Sequence, residues 1–371
     1  MFDFSPGDDL ELIVATTREL AARELAPALR RNESARGVAA QARQAYAAVG
    51  LDRIELPDVV GGAGLGAVAR VLVNEELAAA DAGAALALDP LGPALYPLLE
   101  LRDVEMLRAF AVPLLGDREA RALLVTDGDA RLEIGDTTIS ALVPWLPADR
   151  VDLLVVLHGD QLLLVREGFA LEPLRGAGLH AAGASELRLD GAPIAARRAD
   201  AAGAARARAR ARLYVASLLL GVLRQAADFS REYALGREAF GRPIAHHQAL
   251  AFLIADMRTA VVGARVLLHE AAWRLDQGLD ARAAAAAAFV EAIEASRLVG
   301  PNAVQILGGH GFMQDHPVEK YMRDARLLGL TLGGVDAARD DAAGALAGSG
   351  DVQLSHFASR TKDDGLRRHG L

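Results

Sequence analysis

The 371-residue chain contains no cysteine. Disulfides, thiolate zinc sites, iron–sulfur clusters and cysteine nucleophiles are therefore excluded. Lysine is almost absent too: only Lys320 and Lys362 occur, and arginine carries the remaining positive charge. The 40 Lys and Arg are outnumbered by 49 Asp and Glu, for a formal net charge of −9 at pH 7. General binding to nucleic acid or acidic membranes needs a positive field, so neither is expected. No uncharged apolar stretch approaches the roughly 20 residues of a spanning helix, so no membrane span is expected. No basic segment followed by an apolar run opens the sequence, which predicts no secretory leader and a cytoplasmic protein. The signatures H-E-x-x-H and G-x-S-x-G are missing. His246-His247 has no second ligand pair nearby, His310 and His316 stand in glycine-rich and turn contexts, and no metal site is expected. No fixed-period repeat supports a solenoid.

Alanine, leucine and glycine dominate what is present, and hydrophobic residues make up 52%. Alanine is the best helix former, so the composition leans helical. The length suffices for two or three domains and a large core. Residues 1–118 read as an N-terminal helical domain. Leu10, Leu12, Ile13 and Leu20 recur near helical spacing, Pro27 interrupts, Val38–Val49 is periodic again, and apolar helices are expected over Val68–Ala80 and Met106–Leu115. Residues 119–198 change texture. Short apolar runs (Leu123–Thr126, Thr138–Val143, Val151–Leu157, Gln161–Val165, Leu187–Leu189) alternate with Gly-Asp turns at Gly128, Gly135 and Gly159, which predicts a small β domain. Residues 204–350 return to helices, expected over Ala205–Leu235, His247–Gln277, Ala281–Ile306, Val318–Leu330 and onward to Ala347. Four long helices with short links predict an antiparallel bundle. Its helices carry more apolar surface than one core needs, which predicts an oligomer. Residues 351–371, with Arg367-Arg368-His369, read as a polar tail. The predicted fold class is mainly α with a small β domain.

Two segments carry chemistry. The first, Arg231 to Met257, is REYALGREAFGRPIAHHQALAFLIADM. An arginine at a helix end can pair with a pyrophosphate. The glycine after it lets the chain turn. Phe240 can pack on a ring system, and Gln248 can bond polar cofactor edges. Read bare, the same pattern is a helix–turn–helix with one surface arginine. The second segment, Ala303 to Arg326, is AVQILGGHGFMQDHPVEKYMRDAR. Its Gly308-Gly309 permits close backbone approach, caps a helix, or does both.

Both segments resemble, in register, signatures of the acyl-CoA dehydrogenase family. Tyr233, Ala234, Arg237, Phe240, Gly241, Ile244, Gln248 and Ala255-Asp256-Met257 carry the first match, and Gln305 with Gly308-Gly309 heads the second. Glu24-Leu25-Ala26-Pro27, Leu56-Pro57 with Gly61–Leu65, and Glu75-Glu76-Leu77-Ala78 are weaker echoes, so the resemblance runs in order along nearly the whole chain. It implies an N-terminal helical domain, a barrel-like β domain and a C-terminal four-helix bundle. It implies FAD, with Thr126 bonding the flavin ring. Arg237, Phe240, Gln248, Gln305, Gly308 and Gly309 would then contact the cofactor, several of them across a subunit boundary. It further implies fatty acid metabolism: an acyl-CoA thioester oxidised at its α–β bond, an electron-transfer protein as acceptor, and a homo- or hetero-oligomer.

The sequence departs from that pattern at the catalytic base. The usual glutamate position before Gly333 reads Leu332, and the alternative position, beside Arg212, reads Ala211. Neither side chain can accept a proton. Asp336, one helical turn beyond Leu332, is the substitute candidate. After Val125-Thr126-Asp127 the family's loop is replaced by Gly128-Asp129-Ala130-Arg131. Trp145 is either the aromatic that shields the flavin or a core tryptophan, and Pro147 interrupts a stretch that normally bonds the ring. Arg206, Arg208, Arg210 and Arg212 alternate with alanine and read as a solvated face. Three functions stand open: a dehydrogenase with a relocated base, a non-catalytic partner subunit that keeps the neighbour-facing residues, and a flavin-free scaffold.

Overall fold

The computed structural model describes residues 7–349, so the expected tail at 351–371 lies outside it. Asp8, Asp9 and Glu11 occupy the first turn of α1 (Asp8–Leu20), where acids complement the positive end of the helix dipole. The chain continues around Pro27 into α2 (Leu29–Ala35) and α3 (Ala40–Ala48). Helix α4 (Ala67–Leu88) is buried along nearly its whole length, and its buried Arg70, Glu75, Glu76 and Asp81 are each ion-paired. It breaks at Asp81, whose carboxylate accepts from the Ala84 N–H at 3.2 Å and so caps the second half. Helices α5 (Leu95–Glu100) and α6 (Val104–Met106) follow, α6 capped by Asp103.

Eight strands occupy 122–199: β1 (Ala122–Thr126), β2 (Arg131–Ile134), β3 (Thr138–Leu146), β4 (Leu153–His158), β5 (Gln161–Val165), β6 (Ala170–Pro173), β7 (Ser185–Pro193) and β8 (Ala196–Ala199). They form two four-stranded sheets, ordered β1-β4-β5-β8 and β2-β3-β7-β6. β1 and β4 run parallel, and the other pairs are antiparallel. The first sheet is covered on both sides, which is why β4 and β5 are unbroken apolar runs. Leu153, Val155, Leu162 and Leu164 pack with Leu95, Leu98 and Leu107 of the N-terminal helices. The alternate residues Leu154, Val156, Leu163 and Val165 pack with Ile139, Val143 and Leu187 of the second sheet.

Asp200 caps α7 (Ala201–Gly236) by accepting from the Gly203 N–H. A small hairpin, β9 (Glu238–Ala239) and β10 (Arg242–Pro243), leads to α8 (Gln248–Asp276). Helices α9 (Arg282–Leu307), α10 (Val318–Leu328) and α11 (Gly334–Ser349) complete the described chain. Leu219 and Leu223 of α7, Leu268 of α8, and Phe289 and Val299 of α9 share one core with α4. Among the described residues no helix is long and apolar enough to cross a membrane.

The arginines of α7 do not form the solvated face expected from their spacing. Arg206 and Arg210 lie 2.6 and 2.7 Å from Glu100, and Arg210 also reaches Glu55 at 3.2 Å. Arg208 donates to the Gly159 carbonyl. Arg212 is 5% exposed and pairs with Asp341 at 2.6 Å. Every partner comes from another element, so the spacing on α7 alone could not reveal them. The charged end of the second motif is likewise structural. Lys320 lies 3.0 Å from Asp81 and 2.6 Å from Asp324, all three buried. Arg323 bridges Glu33 and Glu319, each at 2.7 Å. The motif thus clamps α10 onto α2 and α4.

Candidate active site

Strand β1, the end of β3, the turn after α4 and the loop after α10 meet around a cavity of about 460 Å³. Its wall is mainly aliphatic, with Leu86, Val143, Leu146, Val215 and Leu327 among the lining residues. Trp145 and Pro147 are part of that wall. The Trp145 ring is half-buried, and its Nε1 is buried without a hydrogen-bond acceptor. Asp89, Arg121 and Tyr214 form a polar edge. Tyr214 donates to Asp89 at 3.1 Å, and Arg121 donates to the carbonyls of Leu86 and Asp89 at 2.8 and 3.0 Å. Burial pushes the Arg121 guanidinium down to about 10, which leaves it charged at neutral pH.

The two expected base positions come together. Ala211 of α7 and Leu332 of the loop before α11 both line a smaller cavity of about 210 Å³. Leu332 also lines the larger cavity, so it stands in the wall between the two. Its φ of +57° is left-handed, an uncommon conformation for leucine, and Gly333 and Gly334 continue at +74° and +65°. The acids around the smaller cavity are Asp127, Asp340 and Asp341. Asp336, the expected substitute, is exposed and lines neither cavity.

The acid that does reach this wall is Asp129, which the sequence reading passed over. One carboxylate oxygen accepts from the N–H and hydroxyl of Thr126 at 2.9 and 2.6 Å. The other accepts from the Gly333 N–H at 2.9 Å. Burial pushes the Asp129 carboxyl up, against those donors, which hold it down. The backbones touch at the same place: a Cβ on Gly128 would sit 2.5 Å from the Gly333 Cα, so only glycine fits. Thr126 is buried, and both its N–H and its hydroxyl are engaged by Asp129. The contact joins residues 204 apart in the chain, so no local motif announces it.

The remaining predicted cofactor residues lie at one end of the bundle. The Tyr233 hydroxyl and His310 Nδ1 are 2.8 Å apart, which joins the end of α7 to the turn after α9. Arg237, Phe240, Gln248, Gln305, Gly308 and Gly309 are all exposed, Phe240 at 95%. Among the described residues, Arg237, Gln248 and Gln305 have no side-chain hydrogen bond or ion pair. Gly308 has φ +59° and ψ −133°, a conformation that belongs to glycine, and it ends α9. Cap and open backbone coexist there. Along α8 an apolar stripe is exposed as well: Phe252 at 60%, Val262 and Val266 at 42% each. The opposite face, with Met257, Val261, Ala264 and Leu268, is buried in the bundle. The two halves of the predicted cofactor site therefore differ. The outer set has free donors for a phosphate-bearing cofactor, whereas the inner contact, Thr126, has none.

Residues 7–101 match the family model described as acyl-CoA dehydrogenase, N-terminal domain, and residues 203–346 match acyl-CoA dehydrogenase, C-terminal domain. An acyl-CoA dehydrogenase of Bacillus subtilis is 27% identical over 84% of this chain and 90% of its own. A probable acyl-CoA dehydrogenase of Mycobacterium leprae is 29% identical over 88% of this chain and 92% of its own. In three dimensions the chain superposes on a glutaryl-CoA dehydrogenase of Mycobacterium smegmatis in complex with FADH2. That match has a TM-score of 0.79 and 18% identity, and covers 92% of this chain and 95% of that one.

Proposed function

The chain belongs to the acyl-CoA dehydrogenase family, and from that premise we propose that it is a subunit of a flavin-dependent oxidoreductase acting at the α–β bond of an acyl-CoA thioester. The observation that carries the reading is the outer set. Arg237, Gln248 and Gln305 are exposed and unpartnered at one end of the bundle. Arg237 would pair with the pyrophosphate of FAD, and the two amides would bond its polar edges. FAD, when bound, supplies the oxidant of such a reaction, and an electron-transfer protein takes the electrons onward. The FADH2 complex of the M. smegmatis neighbour supports that choice of cofactor. The aliphatic cavity of about 460 Å³ suits an acyl chain, with its polar edge toward the thioester. The exposed α8 stripe suits a second chain of the same fold, so the subunit works in an oligomer.

One observation favours the second reading, a non-catalytic partner subunit. Leu332 and Ala211 meet at one cavity, and neither can take a proton. A positioned base contributes about 10²–10⁴-fold, so the chain alone turns over straight-chain acyl-CoA slowly if at all. The test is to purify the chain alone and with a co-expressed homologous chain, and to measure flavin content and acyl-CoA oxidation in both. In the co-expressed assembly, Arg237→Ala is expected to lower flavin content. Unchanged flavin content in that variant removes Arg237 from the cofactor site.

A further inference from the structure

The inner and outer halves of the cofactor site are in opposite states, and one residue makes the difference. At the inner half, the threonine that would bond the flavin ring is buried, and Asp129 takes both its N–H and its hydroxyl. The same carboxylate ties down Gly333 at 2.9 Å, directly after Leu332. The Gly128 and Gly333 backbones are in contact there, so the wall between the two cavities is closed at the point where base and ring would meet. A flavin ring bonded to Thr126 would have to take both Thr126 donors from the half-buried Asp129 carboxylate, which would keep only its Gly333 bond. At the outer half no such obstacle exists, since Arg237, Gln248 and Gln305 are exposed and unpartnered. The ring contact of this chain therefore does not fit FAD, whereas its outer set does.

We propose that Asp129 closes this chain's own flavin-ring contact, so that the chain supplies only the Arg237, Gln248 and Gln305 half-site to a flavin whose ring is held by a second, homologous chain. Asp129 is not a relocated base on this geometry. Three of its about four acceptor lone pairs are already taken by the two Thr126 donors and the Gly333 N–H, so proton abstraction would compete with the bonds that hold this wall together. The assignment rests on the family reading above and sharpens it, because it says where each half of the cofactor site resides.

The test is a flavin titration of the full-length chain purified alone, read by flavin fluorescence and the visible band near the flavin maximum, with flavin-to-protein stoichiometry. Wild type is expected to remain well below one flavin per chain. Asp129→Ala frees both Thr126 donors and is expected to bind flavin at least about ten-fold more tightly, the equivalent of one recovered hydrogen bond. Asp129→Asn keeps an acceptor for Gly333 while removing the charge. It is measured beside the alanine variant with a melting curve, so that loss of folding is not read as loss of binding. Wild-type protein that carries one flavin per chain overturns the inference and leaves the proposed function standing. So does a folded Asp129→Ala or Asp129→Asn variant whose flavin uptake is no better than wild type. Flavin content that is unchanged in Asp129→Asn while turnover disappears would overturn it in favour of a catalytic Asp129. A flavin-free assembly with a co-purified homologous chain overturns both this inference and the proposed function.

Discussion

Lys320 is one of two lysines in the chain, and its ammonium is buried between Asp81 and Asp324 at 3.0 and 2.6 Å. A cation buried with two acids is worth more in the breaking than in the making, since removing it leaves both carboxylates without their counter-charge. Lys320→Met is therefore expected to destabilise the fold by about 3–5 kcal/mol, read from urea unfolding. A loss under about 1 kcal/mol would mean that water or a shifted side chain replaces the ammonium. The sequence placed Lys320 within the family motif but gave no hint of this role, because Asp81 lies 239 residues away. Asp129 was hidden for the same reason. Its importance comes from its bond to Gly333, and a Gly-Asp pair between two apolar runs reads as ordinary turn chemistry. Residues whose role depends only on local geometry were legible: Gly308 was expected to end a helix, and it does.

At the scale of elements, the hydrophobic pattern located the long helices and the buried strands. Within the β domain the strands it missed are β2, β6 and β8, each four residues long and partly exposed, with sequences such as RLEI and ARRA. A short edge strand has no apolar run to recognise, since its partner strand supplies most of the burial. The docking of α11 was equally out of reach of periodicity. Besides Ala338, which is buried in the main core, α11 is held by Asp341, which pairs with the buried Arg212 of α7 at 2.6 Å, with the Ala337 carbonyl at 3.3 Å. Arg212 Nε has no acceptor of its own, so the guanidinium depends on α11 for what neutralisation it gets. Asp341→Ala is expected to cost about 1–3 kcal/mol, whereas Asp336→Ala, at an exposed position in the first turn of the same helix, should stay within about 0.5 kcal/mol. Equal melting temperatures for the two variants would show that the Arg212 pair does not hold α11 in place.

At the scale of the whole molecule, the residues left exposed point outward together. The α8 stripe of Phe252, Val262 and Val266 stands on the face opposite the bundle core, and Arg237, Gln248 and Gln305 lie near the start of that helix and the end of α9. If the outer set serves a cofactor bound by another chain, association and flavin binding must be coupled: separating the chains should release flavin even though Arg237 is untouched. Val262→Glu with Val266→Glu puts two carboxylates into the stripe. Burying an unpaired charge costs several kcal/mol, which corresponds to an association constant weaker by at least two orders of magnitude. Light scattering at micromolar concentration should then show a smaller species than wild type. In the assembly with a flavin-carrying chain, flavin should be lost in step with dissociation as the protein is diluted. The exposed α8 residues stand on the face away from this chain's own core, so the monomer itself should melt close to the wild-type temperature. A double variant that keeps the wild-type size would move the interface away from α8. One that dissociates yet keeps its flavin would show that the cofactor is bound within a single chain, and the Arg237 set would then have to act in the subunit that carries it.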